Sequence, residues 1–219
     1  MPITYENWLK ACFVEEVPKC SWDDEDPRYL DNKTACEYIT RLLTEAPTTL
    51  AKDYNDQQIA NALMFIFTNE SLTMCDVLQD GEINEEAKYK LLTPLATFHH
   101  KCLDKLCNDR GRKPRIDFCA FPDQPRKLDT AVAMFWIVPG LDQSFDSEKL
   151  APLACEALET ALFKCKTATC KYSALSGIME AAPGDWGNEQ LKHFVKNKNE
   201  PDFLLRFARW QLGDTQAYD

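Results

Sequence analysis

The residues with the plainest capacity for chemistry are two adjacent histidines and the thiols that follow them. His99 and His100 precede Cys102, Cys107 and Cys119, and from His99 the spacing is H-x2-C-x4-C-x11-C. On a helix His99 and Cys102, three residues apart, share a face. One imidazole and three thiolates suit the tetrahedral preference of zinc. That spacing is not the paired knuckle of a zinc finger, however, and Cys102 and Cys107 leave a straight helix on different faces. The reading is therefore core thiols and no resident metal or cofactor, with His99, Cys102, Cys107 and Cys119 as the set to which a metal would have to turn. A second C-x4-C, Cys165 and Cys170, has no histidine close in sequence and reads the same way.

Nucleophilic catalysis finds no support. Ser173-Ala174-Leu175-Ser176-Gly177 lies inside a helical pattern, not at the strand-to-helix elbow that exposes a serine nucleophile. The chain contains neither GxxxxGK[ST] nor GxGxxG, the loops that cradle phosphates. No histidine is followed by aspartate, as helical metal-dependent phosphohydrolases require.

Two charged stretches are better placed for contact than for catalysis. Asp23, Asp24, Glu25 and Asp26 stand in succession and read first as a solvated loop; without the glycine and the alternate spacing of a calcium loop, a basic protein suits them better than a cation. Residues 110–127 carry six basic residues, Arg112, Lys113 and Arg115 among them, and two acidic residues among three prolines; they read first as an internal partner for the acidic run and second as a contact surface. The whole chain holds 25 Lys and Arg against 35 Asp and Glu, a formal charge of −10. That balance opposes unaided binding to nucleic acid or anionic membrane, and it speeds encounter with a basic partner.

These residues must be held by helices. Hydrophobic residues are 45% of the 219, enough for a sizeable core, and 7 glycines against 12 prolines suit helices joined by stiff turns. Thr4 precedes an amphipathic run carrying Trp8, Leu9, Cys12 and Phe13. A second helix is expected over 33–45, with Pro47 separating it from a short further turn. Asn55 or Asp56 caps a central helix bearing Ile59, Leu63, Ile66 and Phe67. Residues 84–107 are helical except at Pro94, which kinks the helix or starts a new one. The apolar run 128–138 is assigned to helix by its alanines. Ser147 caps the next helix, over 147–163.

The last stretch, Cys165 to Gly213, reads as three helices in sequence, and Trp186 is expected to be buried between two of them. Ala168, Tyr172, Leu175, Ile178 and Met179 form one apolar side, and Phe203, Leu204, Phe207, Ala208 and Leu212 another. Pro201 opens the final helix and Gly213 closes it. The ten cysteines fall mostly on helical faces, which suits reduced core thiols rather than a disulfide framework. No run approaches the roughly 18 apolar residues of a membrane span. MPITYENWLK lacks the order of a signal peptide, which places the chain in the cytosol.

The stretches 54–66, 133–140, 170–181 and 203–213 together resemble a family of uncharacterised bacterial proteins with HEAT-like helical repeats in the C-terminal part. That family carries two histidines in its third stretch where this chain has Ser176 and, towards Glu180, none. The resemblance implies an all-α fold and no particular activity. The expectation is one all-helical domain over 1–219, an irregular stack of antiparallel helix pairs (an α-solenoid), clearest in 147–213. Function is expected to be non-enzymatic protein binding, in its sharpest form an immunity or inhibitor protein for a basic toxin. Two alternatives stand beside it. One is an enzyme with a pocket on a helical scaffold of the type used by HEAT-like DNA glycosylases; the other is a structural zinc protein.

Overall fold

In the computed structural model, residues 3–14, 26–67, 73–108, 127–136 and 141–218 are described. They form helices, with no strand among the described residues. No helix there is long and apolar enough to cross a membrane.

Helix α1 (Tyr5–Phe13) begins where Thr4 turns its hydroxyl to the Asn7 amide at 3.3 Å, and it buries Trp8, Cys12 and Phe13. Helix α2 (Asn32–Asp53) differs from expectation, because it runs straight through Pro47. A proline inside a helix forfeits one hydrogen bond. Here the burial of Leu42, Leu43, Ala46 and Leu50 on both sides of it offsets that loss. The next helix, α3 (Asp56–Phe67), opens with a reciprocal cap: the Gln58 amide donates to Asn55 Oδ1, and the Asn55 amide donates to Gln58 Oε1, both at 3.0 Å. It packs against α1, α4 (Thr73–Gln79) and α8 (Lys127–Ala133), so its central position follows from its nearly continuous apolar surface.

Pro94 starts a new helix rather than kinking an old one. Helix α5 (Glu85–Leu92) ends before it, and α6 (Leu95–Phe98) leads through a π-helical turn, His99–Leu103, into α7 (Asp104–Asn108). After the short α9 (Asp142–Phe145), Ser147 Oγ accepts from the Leu150 amide, and α10 (Ala151–Glu159) passes into a second π-helical turn, Thr160–Lys164. Helix α11 (Ala168–Ala181) is capped by Thr167, and α12 (Gly184–Phe194) and α13 (Asp202–Gln211) pack on it. Gly213, at φ 92°, takes the left-handed turn that lets the Asp214 amide return to the Arg209 carbonyl and close α13.

Gly177 has a packing role. A Cβ there would stand 2.6 Å from Trp136 Cβ and 2.8 Å from Leu158 Cδ2, so glycine allows α11 to approach both side chains. Gly177→Ala is expected to lower stability by about 1–3 kcal/mol through overpacking. That figure is the net loss that remains after the roughly 1 kcal/mol that alanine gains over glycine inside a helix. Urea denaturation measures the difference, and an unchanged or higher midpoint contradicts the close approach.

Candidate functional site

An open groove lies where α11, α12 and α13 meet. Ile178 and Leu191 form a buried floor, and Met179 and Trp210 stand over it, 44% and 40% exposed. The groove encloses about 330 Å³. Its wall is kept low by Ala182, Gly184 and Gly187; the last lies so close to Ile178 that a Cβ would sit 3.0 Å from Ile178 Cγ2. The sequence reading put Met179 on the core side of α11. It is 44% exposed instead, near the C-terminal end of the helix.

Two polar side chains enter this lining. Asn188 is exposed at the rim. Gln211 donates from Nε2 to the Leu175 carbonyl at 3.1 Å, which fixes the orientation of its amide. Gln211 Oε1 is thereby left buried without a hydrogen-bond partner. A buried acceptor without a donor carries a desolvation cost until one arrives. Exposed groups of both signs flank the groove, Glu180, Asp185 and Glu189 against Lys192 and Arg209. Trp186, expected to be buried, is half-buried against the core beside it. Aromatic stacking supports the far wall: Trp210 lies over Phe207 at 5.9 Å, and Phe207 over Tyr172 at 5.0 Å.

The acidic run does not present all four of its carboxylates. Asp26 is turned inward, its side chain 7% exposed, and Arg28 Nε donates to its two oxygens at 2.9 and 3.0 Å. The hydrogen bond from Arg28 holds the Asp26 carboxyl below its ordinary range. Arg28 in turn lies 4.4 Å over the Phe65 ring, and its carbonyl accepts from Trp8 Nε1. Asp26 is thus an internal partner that ties the segment before α2 to α1 and α3, and it offers no charge outward. Asp23, Asp24 and Glu25 lie outside the described residues, as do Arg112, Lys113, Arg115 and Cys119.

The histidine–thiol set is separated by the π turn. His99 is fully buried, stacked on Trp136 at 4.8 Å and edge-on to Phe135 at 4.8 Å, with neither ring nitrogen hydrogen-bonded. Burial pushes its pKa down to about 3. Cys102 faces α2, where its Sγ donates to the Ala46 carbonyl at 3.6 Å, and burial pushes its thiol up to about 12. Cys107 points elsewhere again, to Cys170. The eight cysteines among the described residues are free thiols, seven of them buried.

The groove residues escaped sequence reasoning because Met179 and Trp210 continue apolar stripes whose other members are buried or half-buried. The available signal was their charged neighbours, Glu180 and Arg209, at the ends of their helices. Compared with protein-family models, curated proteins and solved structures, the chain finds no match in any of the three.

Proposed function

We propose that the protein works by binding another protein, and that the groove between α11, α12 and α13 receives an apolar anchor of that partner. The observation that carries this reading is the pair Met179 and Trp210, large apolar side chains left exposed over a buried apolar floor. Aromatic residues and methionine are enriched at the centres of protein interfaces, where a few such anchors supply most of the binding energy. The donor-less Gln211 Oε1 suits a partner that brings an N–H with its anchor. Since the groove's flanks carry both signs, the overall charge of −10 sets the long-range preference, which is for a basic partner. An inhibitor of a basic toxin is the form of this reading with the most specific consequences. It places the helices of 147–213 in a HEAT-like stack whose C-terminal end presents the groove.

The test is a comparison of variants. Tagged wild-type protein and the double variant Met179→Ala, Trp210→Ala are used to capture partners at low salt. The expected result is one stoichiometric basic protein, held by the wild type, released by raised salt and lost at least about 30-fold from the variant, as for a hot-spot pair worth 2 kcal/mol or more. Far-UV circular dichroism verifies that the variant keeps its helices. Equal capture by both proteins overturns the groove as the contact.

A further inference from the structure

The π-turn that buries His99 carries His100 to the other side, towards a different group of donors. A ring nitrogen of His100, a carboxylate oxygen of Asp104 and Cys165 Sγ all lie within 4.8 Å of one another. Asp104 and Cys165 are 5% and 2% exposed, and His100 is half-buried. Both elements reach this point through wide turns. The Asp104 amide returns to the His99 carbonyl, and the Cys165 amide to the Thr160 carbonyl at 3.1 Å, each closing a five-residue π step. Cys165 then leaves in extended backbone, which ends the helix beside α7.

The site is built rather than incidental. Asp104 Oδ1 accepts the Thr167 and Lys166 amides at 2.8 and 2.9 Å, and Oδ2 the Lys166 amide at 3.0 Å. This pins the Cys165–Thr167 segment to α7 and fixes carboxylate and thiol relative to each other. A carboxylate has about four acceptor positions. These three bonds therefore leave Asp104 Oδ2 able to accept again. A separate observation points to a ligand: His100 Nδ1 is buried and has no hydrogen-bond partner. Behind Cys165 stands a further thiol, since Cys170 hydrogen-bonds with both Cys107 and Cys165.

We propose that His100, Asp104 and Cys165 form a zinc site. The donor set decides the metal: calcium and magnesium take oxygen ligands, whereas nitrogen, oxygen and sulfur together suit zinc. The ion's two positive charges balance the carboxylate and the thiolate that Cys165 forms on losing its proton to water. Three protein ligands leave a fourth tetrahedral position, for water or for a donor brought by another molecule. The Cys170 thiol supports the Cys165 sulfur from outside the coordination sphere. This site differs from the set His99, Cys102, Cys107 and Cys119 in every ligand. It is independent of the proposed groove.

Metal-stripped, reduced full-length protein titrated with Zn2+ and with Co2+ tests the site. The expected result is one ion per chain, and with cobalt a thiolate charge-transfer band together with the ligand-field spectrum of a tetrahedral ion. Cys165→Ser and His100→Gln should each weaken binding by at least about 100-fold, beyond the roughly 10–100-fold typical of outer-shell partners. Cys155→Ser, a thiol of α10 outside the cluster, should bind like the wild type. Circular dichroism establishes that each variant is folded before it is titrated. A folded Cys165→Ser that keeps wild-type affinity overturns the site, and so does wild-type protein that takes up no stoichiometric zinc.

Discussion

Asp26→Asn lowers the stability of the folded protein by about 3–5 kcal/mol, the cost of removing one partner from a buried ion pair. Both side chains of the pair are 7% exposed, so the Arg28 guanidinium would remain desolvated without its counter-charge. It also anchors contacts beyond the pair, over Phe65 and through its carbonyl to Trp8 Nε1. Urea denaturation of the single variant and of the double variant Asp26→Asn, Arg28→Met checks the origin of the loss. The double variant should recover part of it, since no unpaired charge is left. A single-variant loss below about 1 kcal/mol is what a solvent-exposed pair yields, and it contradicts the burial. The same pair carries a pH dependence. Because the hydrogen bond from Arg28 lowers the folded-state pKa of Asp26, its contribution is complete above the usual carboxylate range and is lost as the pH falls through the folded value.

The second large effect belongs to His99 and lies at higher pH. Its folded pKa is about 3, lowered from 6.5 by burial among aromatic rings. Between these values the unfolded chain binds a proton that the folded chain excludes, so stability rises with pH across the interval. Acidification therefore costs about 1.4 kcal/mol per pH unit from 6.5 downward. His99→Leu should abolish this slope. At neutral pH it should be neutral or stabilising, because two unpartnered buried nitrogens disappear with the ring. Thermal unfolding from pH 4.5 to 7.5, with chelator present to keep the neighbouring donors free of metal, separates this slope from carboxylate titration at lower pH. Parallel pH profiles for the variant and the wild type would show that water or a polar partner reaches the ring.

Chemistry confined to a few adjacent residues was legible in the sequence. Thr4 and Asn55 cap their helices through a side-chain oxygen that accepts from the backbone amide three residues on, and Gly213 supplies the positive φ that closes the last helix. Ser147, expected to cap a helix over 147–163, instead accepts from the Leu150 amide in the turn before α10, which begins only at Ala151. The apolar stripes of α1, α3 and α10 were equally readable, because the helical period alone brings their members to one side. Pro47 shows the limit. Proline's local preference argues for a break there, and only packing on both sides keeps α2 whole. Met179 shows the reverse: its position in the stripe is apolar, yet among the described residues the packing leaves it exposed.

The donor groups show the same division more sharply. The run of histidines and cysteines suggested a metal set from neighbours in sequence, but the widened turn at His99–Leu103 changes the angular step and sends His99, His100 and Cys102 to different partners. Cys165 lacked a nearby histidine in the sequence; the fold brings His100 from the π-helical turn between α6 and α7, beside Asp104, which lies 62 residues before the amide it binds at Lys166. By itself, then, the sequence determined the helical class, most helix starts and the reduced, buried character of the described thiols, because each depends on interactions within one or two turns of chain. The tertiary structure alone decided that Asp26 is an internal ion partner, that His99 is sealed among rings, that Met179 and Trp210 stand open, and that His100, Asp104 and Cys165 meet. Each of those outcomes depends on which distant surfaces touch, and that is set by the summed packing of the whole core rather than by any local preference.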